Sequence, residues 1–272
     1  MTAISIKGLW KTYGDQVVLE NVNLEVRDHE FVTLVGASGC GKTTFLRILL
    51  GEERHTRGNV LIDDAPLPAE PGPDRGIVFQ RYSVFPHLTV RANVLLGLEL
   101  REARWSGRLW GLRRRMARAR VDEMLEAVGL HDARDKYPAQ LSGGMQQRLA
   151  IAQSVITNPK ILLLDEPFAA LDPGLSADMH RLILRLWREH KMNVFMVTHD
   201  LKEGFALGTR LLVFDKVRRD AQAPGAYGAT VTYDIALGAH GRKLPPSLML
   251  NAHPAPRATD TSAMMLPRPS GL

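Results

Sequence analysis

A single cysteine, Cys40, stands in this chain of 272 residues, so no internal disulfide can form and a reducing compartment is expected. Long apolar runs are missing as well. Nothing approaches the roughly 18 to 20 uninterrupted apolar residues of a membrane-spanning helix, and Met1 to Lys11 lacks the apolar segment of a secretory signal, so a cytoplasmic location is expected. Acidic residues are nearly absent from one stretch. Between Arg101 and Arg120, eight arginines (101, 104, 108, 113, 114, 115, 118, 120) accompany Trp105, Trp110 and one carboxylate, Glu102. That stretch reads either as a solvated basic helix face or as a contact for anionic lipid head groups or nucleic acid. The chain as a whole carries a net charge of +6 and 45% apolar residues, enough for one large core or two modest ones.

What is present is more telling. The run Gly36-Ala37-Ser38-Gly39-Cys40-Gly41-Lys42-Thr43 fits the phosphate-loop pattern G-x-x-x-x-G-K-[ST], after the apolar segment Phe31 to Val35 and before the helix-like Thr44 to Leu50. Glycines let the backbone N–H groups turn inward around phosphate oxygens, and the helix that follows directs its positive end at them. Lys42 would reach the β- and γ-phosphates, and the Thr43 hydroxyl would take one magnesium position.

Ile4 to Leu9 and Val17 to Val26 alternate like half-buried strands about a turn at Tyr13-Gly14-Asp15, predicting an antiparallel sheet. Phe31 to Val35, Ile161 to Leu164 and Val194 to Val197 are continuous apolar runs, the pattern of parallel strands covered on both faces. Helices are predicted at Thr44 to Leu50, Arg120 to Val128, Gly143 to Ile156 and Leu175 to His190. The expected fold is α/β: a parallel core sheet of the P-loop NTPase kind, with an antiparallel β subdomain and an inserted helical subdomain at about 81–155. The main domain is expected to span 1–215. Residues 216–272, with seven of the sixteen prolines, are expected to be a largely irregular extension in which Thr230 to Leu237 resembles a strand and the last thirty residues are disordered.

Asp165 and Glu166 follow the run Ile161 to Leu164. Asp165 would hold magnesium opposite Thr43, and Glu166 is a candidate base for a water attacking the γ-phosphate. Leu141-Ser142-Gly143-Gly144-Met145-Gln146-Gln147 sets a serine and two glycines at a helix start. Such a start is either a routine N-cap or a second anion site, for which one triphosphate has no evident need.

These stretches, in this order, resemble the nucleotide-binding subunit of ABC transporters from about Ile4 to Asp215. The match includes Tyr13 as an adenine-stacking aromatic, the phosphate loop Gly36 to Thr44, Gln80 as the Q-loop glutamine and the signature Leu141 to Gln147. It continues through the strand end at Asp165 and Glu166, the D-loop Ala170-Leu171-Asp172 and the switch histidine His199. The resemblance implies ATP and Mg2+ as ligands, with ATP held between Gly36, Ser38, Gly39, Cys40, Gly41, Lys42, Thr43 and Thr44 of one subunit and Ser142, Gly143, Gly144 and Asp172 of another. It implies Glu166, His199, Lys42 and Gln80 as the catalytic set, and Thr43, Gln80 and Asp165 as the magnesium set. Ala169 departs mildly from the family's usual serine or glycine, and the Arg101 to Arg120 stretch is longer and more basic than usual.

Partners implied are a second copy or homologous ATPase subunit, a separate integral-membrane permease and a solute-binding protein, at the cytoplasmic face of the membrane. The segments Gly76 to Gln80, Val84 to Val90 and Asp165 to Phe168 look most like the nitrate, sulfonate and taurine importers. The rival readings are a soluble ABC-type ATPase acting on ribosomes or nucleic acid, and a regulatory binder without turnover.

Overall fold

Ile4 and Ile6 on one strand and Val22 and Leu24 on the next are buried by the alternation of side chains along a strand, and register shifts after Ile6 and Leu9 bring Leu9 and Leu19 into the core as well. These are strands β1 (Ile4–Tyr13) and β2 (Gln16–Val26), joined through Gly14 and Asp15 with Tyr13 opposite Gln16. Strands β4 (Arg57–Ile62) and β5 (Ala65–Pro66) complete an antiparallel sheet in the order β2-β1-β4-β5. The computed structural model describes residues 2–79, 84–103, 108–169, 171–218, 220, 222–223 and 225–238. The expected disorder of the last thirty residues lies outside them.

The central sheet is built from β3 (Phe31–Gly36), β6 (Arg75–Val78), β7 (Ile161–Asp165), β8 (Asn193–Val197), β9 (Arg210–Asp215) and β10 (Thr230–Ala236), in the order β10-β9-β3-β8-β7-β6. Pairing is parallel throughout except for β10, which runs antiparallel on β9. Leu162, Leu164, Val194 and Met196 face one core, and Ile161, Leu163, Phe195 and Val197 face another on the opposite side. This two-sided burial is the reason the central strands read as unbroken apolar runs. β10 carries regular structure beyond Asp215, the expected end of the main domain.

Helix α1 (Lys42–Leu50) packs Phe45, Leu46 and Ile48 on the side shared with the antiparallel sheet. Helices α2 (Val90–Glu102), α3 (Gly111–Ala127) and α4 (Gly143–Val155) fall between β6 and β7, and no strand interrupts them among the described residues. Helix α3 begins at Gly111, well before the expected Arg120. Its first turns are dominated by arginines, which favour helix, and their two large apolar residues, Leu112 and Met116, do not continue the buried row of the second half.

Helix α5 (Pro173–His190) starts with Asp172 as N-cap and Pro173 in the first turn, and ends at Lys191 in a left-handed conformation. It buries Met179, Leu182, Ile183, Leu186 and Trp187, each contributing about 1.5–3 kcal/mol by removal from water. Helix α6 (Leu201–Leu207) connects β8 to β9.

Candidate functional site

The loop of residues 37–41 links β3 to α1 at the carboxyl end of a central strand, where ligands gather in α/β sheets. Gly41 immediately precedes α1 with φ 93°, and a Cβ there would lie 2.8 Å from Leu19 Cδ2 and 2.9 Å from Val18 Cγ1. Both the left-handed turn and the space therefore require glycine. The buried Lys42 ammonium donates to the carbonyl oxygens of Gly36 at 2.8 Å and Ala37 at 3.0 Å. The first turn of α1 holds no acidic residue, so Lys42 and the helix N-terminus together present positive potential to the space above.

That space is a cleft of about 380 Å³ lined by Tyr13, Gln16, Val18, Ser38, Gly39, Gly41, Lys42, Thr43, Thr44 and Glu166. Thr43 donates its hydroxyl to Asp165 Oδ1 at 3.2 Å, tying α1 to the end of β7. Burial pushes the Asp165 carboxyl above the usual carboxylate range; the Thr43 hydrogen bond opposes this and the charge of Glu166 adds to it. Glu166 leaves the strand at φ 47°, a left-handed angle held by its N–H donating to the Val197 carbonyl at 3.0 Å. Its Oε2 lies 3.6 Å from His199 Nδ1. The Asp165–Val197 pairing of β7 with β8 is what brings these two loops together.

A second cavity of about 420 Å³ adjoins on the His199 side and shares Glu166. Glu203 is its organiser. Its carboxylate accepts from Thr198 Oγ1 at 2.7 Å and from Ser176 at 3.4 Å, and lies 3.3 Å from His180 Nε2. Burial would raise the Glu203 carboxyl, but the hydrogen bonds from His180 and Thr198 outweigh it and hold the group below its ordinary value. This cluster joins α5 to the residue just before His199. Sequence reading missed it, and the i, i+4 spacing of Ser176 and His180 was the available signal.

The structure brings Tyr13, Ser38, Gly39, Gly41, Lys42, Thr43, Thr44 and Glu166 around one cleft, with Asp165 and His199 in contact with Thr43 and Glu166. Ser142, Gly143 and Gly144 line neither cavity. Ser142 caps α4 by accepting from Met145 N at 3.3 Å, leaving the serine and Gly143 exposed. The Asp172 carboxylate is occupied as the α5 cap, accepting from Gly174 N at 3.1 Å and Leu175 N at 3.0 Å. Tyr13 is 45% exposed, hydrogen-bonds Glu53, and has the Lys11 ammonium 4.4 Å from its ring centre.

The side chain of Cys40 is buried in the core, and Cys40 is not among the residues that line the cleft. Gln80 and Ala170 lie outside the described residues. Residues 85–88 are held by buried Asn93, which accepts from Phe85 N at 2.7 Å and donates to the carbonyls of Phe85 and Leu88 at 3.0 Å each.

Residues 19–169 match the sequence model of the family described as ABC transporter. An uncharacterised ABC transporter ATP-binding protein of Methanocaldococcus jannaschii is 42% identical over 214 residues, which are 77% of this chain and 76% of that one. The spermidine/putrescine import ATP-binding protein of Bacillus cereus is 37% identical over 215 residues, 78% of this chain and 63% of its own length. A dimeric ATP-binding cassette solved in a post-hydrolysis state with ADP and Pi has a TM-score of 0.69 and 31% identity, covering 86% of this chain and 98% of the other. The phosphate loop, the Thr43–Asp165 link and the Glu166–His199 pair thus sit on a shared framework: the chain belongs to the ABC transporter family and has the fold of its ATP-hydrolysing cassette.

Proposed function

We propose that this chain is the ATP-hydrolysing subunit of an importer, driving a separate membrane permease to take up a small anionic solute of the nitrate, sulfonate or taurine kind. The observation that carries the catalytic part is the convergence of Lys42, Thr43–Asp165 and Glu166–His199 on one cleft. In this reading Lys42 leaves its two loop carbonyls to neutralise the β- and γ-phosphates, while the loop N–H groups and the α1 terminus hold the other oxygens. Glu166 accepts the proton of the attacking water, and His199 beside it contacts the γ-phosphate. Thr43 and Asp165 are hard oxygen donors that fit Mg2+, with Gln80 as the further donor. The ion supplies charge neutralisation on the phosphates when bound.

Ser142 to Gly144 and Asp172 lie away from the cleft, which supports their use on the nucleotide of a second copy, so that ATP holds two cassettes together and hydrolysis releases them. The cassette is proposed to span 1–215 with its helical subdomain at about 81–155, and the extension at 216–272 adds β10 to its central sheet. Importer function is supported by the likeness to the Bacillus cereus spermidine/putrescine import protein. No described helix is long and apolar enough to cross a membrane, so the permease is proposed as another chain, with a solute-binding protein on its far side and this subunit peripheral at the cytoplasmic face. The choice of an anionic solute rests on the sequence segments named for that group.

Glu166→Gln tests the reading. It is expected to bind ATP and dimerise while phosphate release falls by about 10²–10⁴-fold, the usual contribution of a general base. Turnover at the wild-type rate would remove Glu166 from the mechanism. The variant trapped with ATP should also co-purify with a multi-spanning permease; ribosomal proteins in its place would favour the soluble ATPase.

A further inference from the structure

Helix α3 packs unevenly along its length. Its second half buries Val121, Met124 and Leu125, whereas Ala117 is the buried residue of its first half. Leu112 and Met116, one turn apart on the side of α3 away from that buried row, are 72% and 61% exposed. Arg113 and Arg115 flank this pair, one on either side, at 100° per residue, and both are exposed. Trp110, which precedes the helix, is 66% exposed, and Leu100 in the last turn of α2 is 69% exposed. Among the described residues from Leu100 to Val121 there are seven arginines and one carboxylate, Glu102, which pairs with Arg120 at 3.0 Å.

A solvated basic face accounts for the arginines but not for Trp110, Leu112 and Met116 left in water among them. A polyanion such as nucleic acid would engage the guanidinium groups and leave the apolar row without a partner. An anionic bilayer surface takes both. Guanidinium groups meet lipid phosphates, the indole sits at head-group depth, and Leu112 and Met116 reach the acyl boundary. We infer that the exposed start of α3, from Trp110 through its first turns, docks on anionic phospholipid, as a membrane contact made by this chain itself. The inference rests on this surface alone and not on the transport reading.

The test uses the full chain, sedimented with vesicles of phosphatidylcholine or of an equal mixture of phosphatidylcholine and phosphatidylglycerol. Binding is expected to the mixed vesicles and to weaken as salt is raised. Replacing Arg113, Arg115 and Arg118 together by Gln should reduce it by about fivefold per arginine. Leu112→Ser with Met116→Ser should reduce it at every salt concentration. Vesicles should shift the tryptophan emission to the blue in the wild type, and this shift should shrink in Trp110→Phe. These residues lie outside the catalytic cleft, so unchanged basal ATP turnover certifies the folding of each variant. Absence of binding to mixed vesicles overturns the inference. So does binding indifferent to Leu112 and Met116, and so does retention of a duplex oligonucleotide in preference to vesicles.

Discussion

Alanine at Gly41 and at Gly39 should cost different amounts, although both glycines lie in the phosphate loop with positive φ. Gly39 sits at φ 77° with nothing within 4 Å of where a Cβ would be. Gly39→Ala therefore carries the backbone penalty of the left-handed region, about 1–2 kcal/mol. Gly41→Ala carries the same penalty at φ 93° and places its Cβ 2.8–2.9 Å from Leu19 Cδ2 and Val18 Cγ1. Leu19 is fully buried and has little room to yield, so overpacking adds about 1–3 kcal/mol. Urea unfolding without nucleotide measures both variants against wild type, and Gly41→Ala should be the less stable by about 1–3 kcal/mol. Val18 also lines the cleft, so a displaced Val18 should weaken binding of a fluorescent ATP analogue by Gly41→Ala. Equal losses of stability in the two variants would refute the crowding argument and leave backbone strain as the whole effect.

Lys42→Ala should weaken ATP binding by removing the cation nearest the loop, and should also lower stability by about 1–3 kcal/mol because the Gly36 and Ala37 carbonyls lose their donor; unchanged affinity would displace Lys42 from the site. Cys40 should react slowly with an alkylating reagent whether or not ATP is present, since its thiol is already buried, and fast labelling of the native protein would contradict that placement. Glu203 is held below its ordinary value, 4.5, so the stability it contributes is present above that pH and lost as the pH falls below it. The difference in melting temperature between wild type and Glu203→Gln should accordingly be present at neutral pH and close on acidification; a gap independent of pH would show that the charge of Glu203 is not what matters.

Much of the candidate site was legible because its parts are local. The phosphate loop, the apolar run ending in Asp165 and Glu166, and the serine cap of α4 each depend on residues adjacent in the chain, and order alone linked them to a family. Strand β6 went unassigned because four residues are too few to establish a period, and Gly76 interrupts them. The first turns of α3 were lost because their apolar pair, Leu112 and Met116, stands among arginines and faces away from the buried row that Ala117 and Val121 continue.

By itself the sequence determined the first antiparallel hairpin, the two-sided burial of the central strands β3, β7 and β8 and the glycine-rich turn before α1, since these follow from apolar periodicity and from glycine at fixed spacing. Tertiary structure alone decided that Glu166 meets His199, because that contact depends on the parallel register of β7 with β8. It likewise decided that Glu203 ties α5 to the switch loop across 23 positions from His180. It decided, too, that the Cys40 side chain is buried: where a loop side chain points is set by the core it enters, and that core draws on strands distant along the chain as well as on α1.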